Sequence, residues 1–533
     1  MKRRAFLKRG LPVATIPFLM NGFSIKAFGK GSIFESVLRS APEGDRVLVI
    51  IQLQGGNDGL NTVLPLDQYS ALSTARANIL IPENLALALN GTTVTGLHPS
   101  MPEIQALFNN QHAMIMQGVS YPNPNFSHFE ATDIWLTASD SDQSLATGWA
   151  GRYLDKEYPG YPSGYPNSTN PDPLAVQIGS TVSTALQGPA ASMGIAVANT
   201  TNFYQLLSGN YGTAPNTPAG HELAFIRETS LETQQYSNAL KTAAQAQANL
   251  STLYPTAGTN PLADQLKIVA QLIGGGLQTK IYMVSLGTFD THSAQVSATG
   301  GNQTGTHADL LSKFSVAVNA FMDDITLMNQ QDRVLGMTFS EFGRRIISNG
   351  SQGTDHGTAE PVFLFGTQVK GGLLGTNPVI PANAGVNDNI AMQTDFRSVY
   401  STVLANWFCA STDEVNTVMG TPEQSSFPLL DLFTATCSSS VGIQSTAANN
   451  IQLRNYPNPS NASTIIEFQI AAAGSLQIKL YDAVGNEVET LIEGYYAPGA
   501  YQTQVDTHKL ASGIYFYTLR QGQQKITEKM LVM

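Results

Sequence analysis

The chain has 533 residues, 42% of them apolar, which is too long for one ordinary domain and sufficient for a large core. Only 13% of the residues are charged, against roughly 25% in an average domain, and the formal net charge is −11. This acidic balance argues against nucleic acids and anionic membranes as partners, and so few charges are more typical of exported than of cytosolic proteins.

The N-terminal segment "MKRRAFLKRG" places two adjacent arginines ahead of a modestly apolar stretch at 11–20. It resembles a twin-arginine export signal, which we assign to residues 1–30 with cleavage near Ala27. The apolar stretch is shorter than the roughly 18–20 residues that cross a bilayer, so no transmembrane span is expected. Six basic and no acidic residues precede position 28, so removal of the signal brings the net charge from −11 to about −17.

Residues 45–437 show strands that alternate with helices. The predicted strands lie within 46–61 and at 113–119, 280–287, 333–339 and 361–366. The predicted helices lie at 100–110, from Ser127 onward, and at 229–252, 262–273, 307–330 and 395–408. Ser100 and Glu103 have the spacing of a capping box at the first of them. This alternation indicates an α/β fold, a mostly parallel sheet with helices on both faces.

Three other regions differ from this pattern. Residues 156–260 are rich in Tyr, Pro, Gly and Asn, and we interpret them as an insertion that covers one face of the core, or as a separate lid. Residues 438–450 have the composition of a linker. Beyond them, residues 451–533 contain short alternating strands separated by turn residues, which predicts a small C-terminal antiparallel β-sandwich.

The two cysteines limit the metal chemistry of the chain. Cys409 and Cys437 can pair with each other in an oxidising compartment. A zinc site built from thiolates is excluded because it needs more cysteines. Any metal must therefore be held by Asp, Glu, His or hydroxyl groups.

Polar residues gather at one edge of the predicted sheet. Sites in open α/β sheets form outside the carboxyl ends of the strands. The candidates at that edge are Asn57, Asp58, Ser127, His128, Asp290, His292, Glu341, Asp355 and His356, with His307 as a further candidate at the start of a helix. Each has a plain alternative, such as a turn residue, a helix cap or, for Glu341, an ion pair with Arg344 or Arg345. Their arrival from separate segments nevertheless predicts one shared polar site.

The residue types in this site indicate metal-assisted hydrolysis. Carboxylates and imidazoles suit a divalent ion, with Zn, Mn, Mg and Ca all open. Ser127 precedes a predicted helix, whose free N–H groups can hold a phosphoryl or sulfuryl oxygen, and a neighbouring metal would make its hydroxyl nucleophilic. The alternative for Ser127 is a helix N-cap.

Five motifs carry a resemblance to a known family: "QLQGGNDGLN", "NFSHFEATDIW", "GTFDTHSAQ", "FSEFGRR" and "GTDHGTAEPVFLFG". In this order they resemble the signatures of the family called domain of unknown function 1501, which is placed with the alkaline phosphatase and sulfatase superfamily. The resemblance covers about 45–430 and implies a phosphatase-like fold with two metal positions.

The resemblance also implies roles for individual residues. Asp355 and His356 would bind one metal, Asp290 and His292 the other, and Asp58 matches the aspartate that closes the first strand. Ser127 lies where a superfamily nucleophile would be. Asp290 and His292 are spaced more closely than is usual in that superfamily, and no later core histidine follows His356. His307 or Glu341 would then replace a ligand.

The C-terminal region has a second resemblance. "YPNPSNASTIIEFQI", "LYDAVGNEV" and "LASGIYFYTLRQGQQKITEKMLVM" are similar to the C-terminal sorting domain of type IX secretion cargo. This implies passage through the periplasm to the cell surface or the extracellular space, with the export and type IX secretion machinery as partners. The tail would have no role in catalysis.

Together these features predict an exported, metal-dependent hydrolase of phosphate or sulfate esters that acts on a small molecule or a glycan ester. A noncatalytic protein of the cell surface, which uses the same fold to bind glycans or to assemble with envelope partners, is the alternative. The low charge and the Tyr-rich segment 156–260 suit contact with glycans.

Overall fold

The structure is a computed structural model that describes residues 19–20, 23–24, 45–198, 236–420, 427–434, 437, 452–470, 473–482, 486–497, 499–521 and 524–532. Its residues form two compact units, Met1–Cys437 and Ser438–Met533. The linker predicted at 438–450, and nearly all of the signal predicted at 1–30, lie outside the described residues.

The first unit contains both strands and helices. Its strands are β1 (Leu19–Met20), β2 (Phe23–Ser24), β3 (Val47–Leu53), β4 (Val63–Pro65), β5 (Leu87–Ala88), β6 (Thr95–Leu97), β7 (Ala113–Ser120), β8 (Ala175–Ile178), β9 (Gly194–Val197), β10 (Ile281–Leu286), β11 (Val334–Phe339), β12 (Arg344–Ser348), β13 (Thr354–His356), β14 (Glu360–Phe365), β15 (Gly372–Leu374) and β16 (Thr394–Asp395). Its helices are α1 (Gly59–Thr62), α2 (Tyr69–Ala75), α3 (Pro102–Asn109), α4 (His128–Thr137), α5 (Trp149–Glu157), α6 (Pro261–Gly274), α7 (Thr306–Leu327), α8 (Phe396–Thr402) and α9 (Thr412–Met419).

Shorter helical pieces complete this unit. Residues 236–246 are helical, within the helix predicted at 229–252, part of which lies outside the described residues. A π-helical turn, Val403–Trp407, continues α8 to the end of the helix predicted at 395–408. Turns of 3₁₀ helix lie at Leu66–Gln68, Glu83–Leu85, Thr184–Leu186 and Gln331–Arg333.

The central sheet is mostly parallel. Its strands lie in the order β15–β7–β14–β11–β3–β10–β8–β9, and β16 also pairs with β7. β3 runs parallel to both β10 and β11, with Ile50 opposite Met283 and Met337. Among the described strands of this sheet, only β14 runs antiparallel to its neighbours. Its amino end therefore lies at the edge where the carboxyl ends of the parallel strands meet.

Helices cover both faces of the sheet. Val47, Val49 and Ile51 of β3 pack on one face against α3, α6 and α7, whereas the alternate residues Leu48 and Ile50 pack on the other face near α4, α5, α8 and α9. Successive side chains of a strand point to opposite faces, so a strand buried on both sides must be apolar throughout. The predicted α/β fold is confirmed.

Some details differ from the sequence prediction. β8 and β9 belong to the central sheet, so part of the segment predicted as an insertion or lid, 156–260, is built into the core. The capping box predicted for α3 does not form, because Met101 is its N-cap and the carboxylate of Glu103 instead accepts a hydrogen bond of 2.6 Å from Ser315. The structure also pairs Cys409 with Cys437, which the sequence left open.

The second unit is a β-sandwich, as predicted. Its strands are β17 (Gln452–Tyr456), β18 (Ser463–Ile470), β19 (Gly474–Tyr481), β20 (Glu487–Tyr496), β21 (Gly499–Asp506), β22 (Gly513–Gln521) and β23 (Gln524–Val532), with a 3₁₀ turn at Thr507–Lys509. They form two antiparallel sheets, β17–β18–β21 and β20–β19–β22–β23. Inward residues of both sheets, including Ile466, Phe468, Ile478 and Leu519, form its core.

A glycine in the central sheet gives a testable prediction for stability. A Cβ at Gly336 in β11 would lie 2.0 Å from the buried ring of Phe365, its partner in β14. We expect Gly336→Ala to lower the free energy of unfolding by about 1–3 kcal/mol, because the fully buried ring would have to shift to make room for the methyl group. Urea unfolding followed by tryptophan fluorescence measures this, since all three tryptophans lie in the first unit.

Gly350→Ala is the matched control. A Cβ at Gly350 meets no atom within 4 Å, and the residue is exposed. Its substitution should change the free energy of unfolding by less than about 1 kcal/mol. Equal losses in the two variants would contradict the packing described for β11 and β14.

Candidate metal site

Three ligand atoms converge at the edge of the sheet where β3, β10 and β11 end. They come from His128, the first residue of α4, from Asp290 in the loop after β10, and from His356 at the end of β13, and they all lie within 4.8 Å of one another. Oδ2 of Asp290 is 3.5 Å from Nε2 of His128, and Oδ1 of Asp290 is 3.4 Å from Nε2 of His356. Three separate segments of the chain thus meet at one point.

His292 and Asp355 adjoin these atoms. Nε2 of His292 lies 3.2 Å from Oδ1 of Asp290 and 2.9 Å from Nε2 of His356. Its Nδ1 lies 3.0 Å from Oδ1 of Asp355. The side chains of Asp290 and Asp355 are 46% and 58% exposed, so the group is open to solvent. We call His128, Asp290, His292, Asp355 and His356 the ligand cluster.

The three imidazoles of the ligand cluster share one orientation. In each, Nδ1 lies within 3.0 Å of a hydrogen-bond acceptor, which is Oε1 of Glu341 for His128, Oδ1 of Asp355 for His292 and the carbonyl oxygen of Phe126 for His356. Since a carbonyl or an ionised carboxylate only accepts, each Nδ1 donates to its partner, and Nε2 is the ring nitrogen that faces the cluster. Metal-binding histidines are held in this way.

A buried arginine, Arg344, supports the ligand cluster. The guanidinium of Arg344 is fully buried and donates to Oδ1 of Asp290 at 2.7 Å. It also donates to four backbone carbonyl oxygens, those of Gly55, Gly56, Phe289 and Thr354. One side chain thus connects the loop after β3, the loop after β10 and the start of β13.

The protonation states of the cluster follow from these contacts. Burial alone would raise the pKa of Asp290, but the hydrogen bond and charge of Arg344 outweigh it and leave that pKa below its ordinary value. The amide of Asn349 lowers the pKa of Asp355, and burial lowers the pKa of His356. At neutral pH the two carboxylates are charged and His356 is neutral, which are the forms that bind a metal.

The carboxylate of Asp58 is bonded to Arg76 and Gln295, not to a residue of the ligand cluster. Its carboxylate is fully buried, and both oxygens accept hydrogen bonds of 2.9 Å from Nη1 of Arg76 in the turn after α2. Oδ2 accepts a further bond of 2.6 Å from Gln295. Burial alone would raise the pKa of Asp58, but Arg76 outweighs it and holds that pKa below its ordinary value. Asp58 therefore forms a buried ion pair, and we do not include it in the proposed ligand set.

Asn57 and His307 lie in the same buried region as Asp58. Nε2 of His307 is 3.0 Å from the amide oxygen of Asn57, which also accepts a hydrogen bond of 2.9 Å from Thr62. Burial lowers the pKa of His307 to about 4, so this imidazole is neutral at pH 7. Both side chains are fully buried and bonded to each other, and they too are left out of the ligand set.

Ser127 is the N-cap residue of α4 and directly precedes His128. The residue is exposed, and its hydroxyl makes no capping hydrogen bond to the helix. Its backbone N–H donates to the side chain of Asn125 at 2.8 Å. The expected position at a helix start is confirmed, whereas the expected role as nucleophile stays a prediction.

Sequence reasoning missed the residues that support the cluster. Glu341 was expected as a ligand or as an ion-pair partner of Arg344 or Arg345, but it accepts from His128 and from the N–H of Gly55 at 2.8 Å. Arg344 instead binds Asp290. The motif "FSEFGRR" contains both residues, so it marked the right segment without showing their partners. The Phe126 carbonyl is a backbone group, which no residue type can indicate.

Comparison with known proteins identifies the family of the first unit. The model of the family described as protein of unknown function (DUF1501) matches residues 45–422. The chain belongs to this family. The matched range, 45–422, agrees with the range of about 45–430 over which the five motifs carry the resemblance. No curated protein matches the chain.

A second family model, secretion system C-terminal sorting domain, matches residues 454–533 of the chain. The sorting domain indicates export to the cell surface or the extracellular space, as the sequence predicted. No helix of the described residues has the length and apolar character needed to cross a membrane.

Solved structures show distant similarity. A protein in the alkaline phosphatase superfamily from Vibrio parahaemolyticus is 10% identical over 91% of this chain and 84% of that one, with a TM-score of 0.32. The phosphonate monoester hydrolase SpPMH from Silicibacter pomeroyi is 10% identical over 91% and 89%, with a TM-score of 0.31. Dimeric latent PorU from Porphyromonas gingivalis is 18% identical over 17% of this chain and 10% of its own, with a TM-score of 0.15. Because the TM-scores are so low, these structures do not assign a role to any residue of this chain.

The buried pair of Asp58 and Arg76 gives a prediction for pH dependence. Asp58→Asn leaves the guanidinium buried without a charged partner, so we expect a loss of about 3–5 kcal/mol in the free energy of unfolding at pH 7. Because the folded pKa of Asp58 is depressed, its stabilisation is complete above the unfolded pKa of about 3.9 and is lost as the pH falls through the folded pKa. Urea unfolding of both proteins at several pH values should show the difference narrowing below about pH 4.

Asp142→Asn is the control, because Asp142 is exposed and should contribute little at any pH. If Asp58→Asn left stability unchanged at pH 7 but removed a bound metal, Asp58 would be a ligand, contrary to its placement in the structure.

Proposed function

We propose that this protein is an exported, metal-dependent hydrolase of phosphate or sulfate esters. The observation that carries the proposal is the convergence of imidazole Nε2 atoms and the Asp290 carboxylate at one solvent-open point of the sheet edge. The motifs resemble a family that is placed with the alkaline phosphatase and sulfatase superfamily, which supports the same reaction class. The sorting domain supports a substrate outside the cytoplasm.

The residues of the ligand cluster fit a divalent metal. Lone pairs of Nε2 atoms and an ionised carboxylate are its usual donors, and here each ring is also held at Nδ1. His128, Asp290 and His356 would hold the metal, with His292 and Asp355 beside them. Bound there, a metal supplies polarisation of the ester oxygen and stabilises the charge that develops on it.

Ser127 is the proposed nucleophile. It directly precedes the ligand His128, its hydroxyl is not used as a cap, and the residue is exposed to solvent. The free N–H groups in the first turn of α4 would hold the oxygens of the phosphoryl or sulfuryl group. In this scheme the Ser127 oxygen bonds to phosphorus or sulfur as the bond to the alcohol oxygen breaks, and the hydroxyl proton passes to the departing alcohol. Water then cleaves the serine ester, which releases phosphate or sulfate and restores the hydroxyl.

The test is Ser127→Ala in the full chain, with hydrolysis of p-nitrophenyl phosphate and p-nitrophenyl sulfate as the assay and elemental mass spectrometry for bound metal. We expect unchanged metal content, because the hydroxyl is not a proposed ligand. Turnover should fall by about 100-fold or more, because the nucleophile is removed.

Ser144→Ala is the matched control, since Ser144 is exposed and lies outside the ligand cluster. It should retain full turnover. If Ser127→Ala retained full turnover as well, the covalent step would be excluded. If the wild-type protein bound metal but hydrolysed neither class of ester, the noncatalytic role in glycan binding or envelope assembly would be favoured instead.

A further inference from the structure

We propose that Arg345 and Phe126 form a subsite for a second anionic group of the substrate, separate from the ester that is cleaved. The inference rests on the proposed function and names its substrate class. That class is a small phosphate or sulfate ester whose organic group carries a further carboxylate or sulfate. The two residues contribute no metal ligand.

Two contacts fix this pair of residues beside His356. Nε of Arg345 donates to the backbone carbonyl oxygen of His356 at 3.1 Å. The carbonyl oxygen of Phe126 lies 2.7 Å from Nδ1 of the same residue. Because Nε2 of His356 is the nitrogen that faces Asp290, the Phe126 carbonyl lies on the far side of the imidazole ring. The pair therefore adjoins the proposed reaction centre without being part of it.

The guanidinium of Arg345 is held in place by neutral groups. Its Nη1 donates to the carbonyl oxygen of Val386 and to the side-chain oxygen of Asn387, both at 2.8 Å. The central carbon of the guanidinium lies 5.6 Å from the centre of the Phe126 ring, which is a cation–π arrangement. Because these contacts already order the side chain, an anion that binds it loses little further side-chain entropy.

The positive charge of Arg345 and one of its nitrogens remain available. The residue is half-buried, and no acceptor in the described part of the chain bonds to its Nη2. No described carboxylate forms an ion pair with it either, since Asp355, on which its charge acts, is bonded to His292. Arginine stays charged and its planar fork of donors matches oxyanions such as carboxylate and phosphate. In a chain of net charge −11, an unpaired and ordered guanidinium beside an ester site fits a second anion of the same ligand.

The Phe126 ring supplies apolar surface next to this charge. Phe126 is 39% exposed and directly precedes Ser127, the proposed nucleophile. An ester that reacts at Ser127 can therefore place its organic group against the ring while its second anion contacts Arg345. Ligand sites commonly combine an apolar wall with a few placed polar groups in this way.

Calorimetry with non-hydrolysable alkylphosphonates tests the subsite in the full chain supplied with Zn²⁺. The probes form three series of matched chain lengths, which end in a methyl group, a carboxylate or a sulfonate. We expect a charged end to tighten binding to the wild type by about 10-fold at the best length, because charge-assisted hydrogen bonds to arginine are strong. An advantage for the carboxylate indicates a carboxylated organic group, and an advantage for the sulfonate indicates a sulfated one.

Variants assign this advantage to the two residues. Arg345→Met should remove it and leave binding of the methyl-ended probes unchanged, whereas Arg345→Lys should retain part of it because the charge remains. Phe126→Ala keeps the backbone carbonyl near His356 and should weaken all three series by about 3–10-fold. Arg454→Met is the matched control, since it removes the same charge from an exposed position in the second unit and should match the wild type. Elemental mass spectrometry should show equal metal content in all of these proteins.

Several results would overturn the inference. Equal binding of the three series to the wild type, or no binding of any, would remove the subsite. An equal loss of all three series in Arg345→Met would give Arg345 a structural role only. Hydrolysis of p-nitrophenyl phosphate and p-nitrophenyl sulfate, measured on the same preparations, tests the proposed function separately. Tighter binding of charged ends without ester hydrolysis would refute that function and leave the subsite standing, and hydrolysis without such an advantage would do the reverse.

Discussion

The buried guanidinium of Arg344 is the interaction on which the site depends. Arg344 follows β11 in the chain and bonds to carbonyl oxygens in the loop after β3, in the loop after β10 and at the start of β13, as well as to Asp290. These segments come from distant parts of the sequence, and two of them are loops. A charged, five-donor side chain buried among carbonyl oxygens is costly to displace, so it fixes their relative positions.

Hydrogen bonds from neighbouring groups orient the side chains of the ligand cluster. Each imidazole is held by an acceptor on Nδ1, and Asp290 is held by Arg344 on one oxygen while its other oxygen faces His128. The ligands are therefore oriented before anything binds, which reduces the loss of entropy on binding. The antiparallel direction of β14 contributes as well, because it brings Asp355 and His356 to the edge where the parallel strands end.

The sequence predicts the fold more completely than it predicts the site. Apolar runs such as β3 are buried on both faces and could be recognised from composition alone, and the rule for strand ends located the edge at which His128, Asp290 and His356 meet. The buried ion pair of Asp58 could not be predicted, because its partner Arg76 lies in a separate segment, the turn after α2. An Asp-Gly pair in the sequence also does not indicate whether the aspartate is buried or exposed. Ring orientation was equally hidden, since it depends on contacts such as the Phe126 carbonyl from remote segments.

The central claim is that a metal ion sits among the converging atoms of the ligand cluster. Anomalous X-ray scattering at the zinc edge, from crystals of the protein grown with Zn²⁺, locates the ion directly. We expect a peak at about 2.0–2.2 Å from Nε2 of His128, from Nε2 of His356 and from a carboxylate oxygen of Asp290. A peak bound to Asp58, or no peak among these residues, would contradict it.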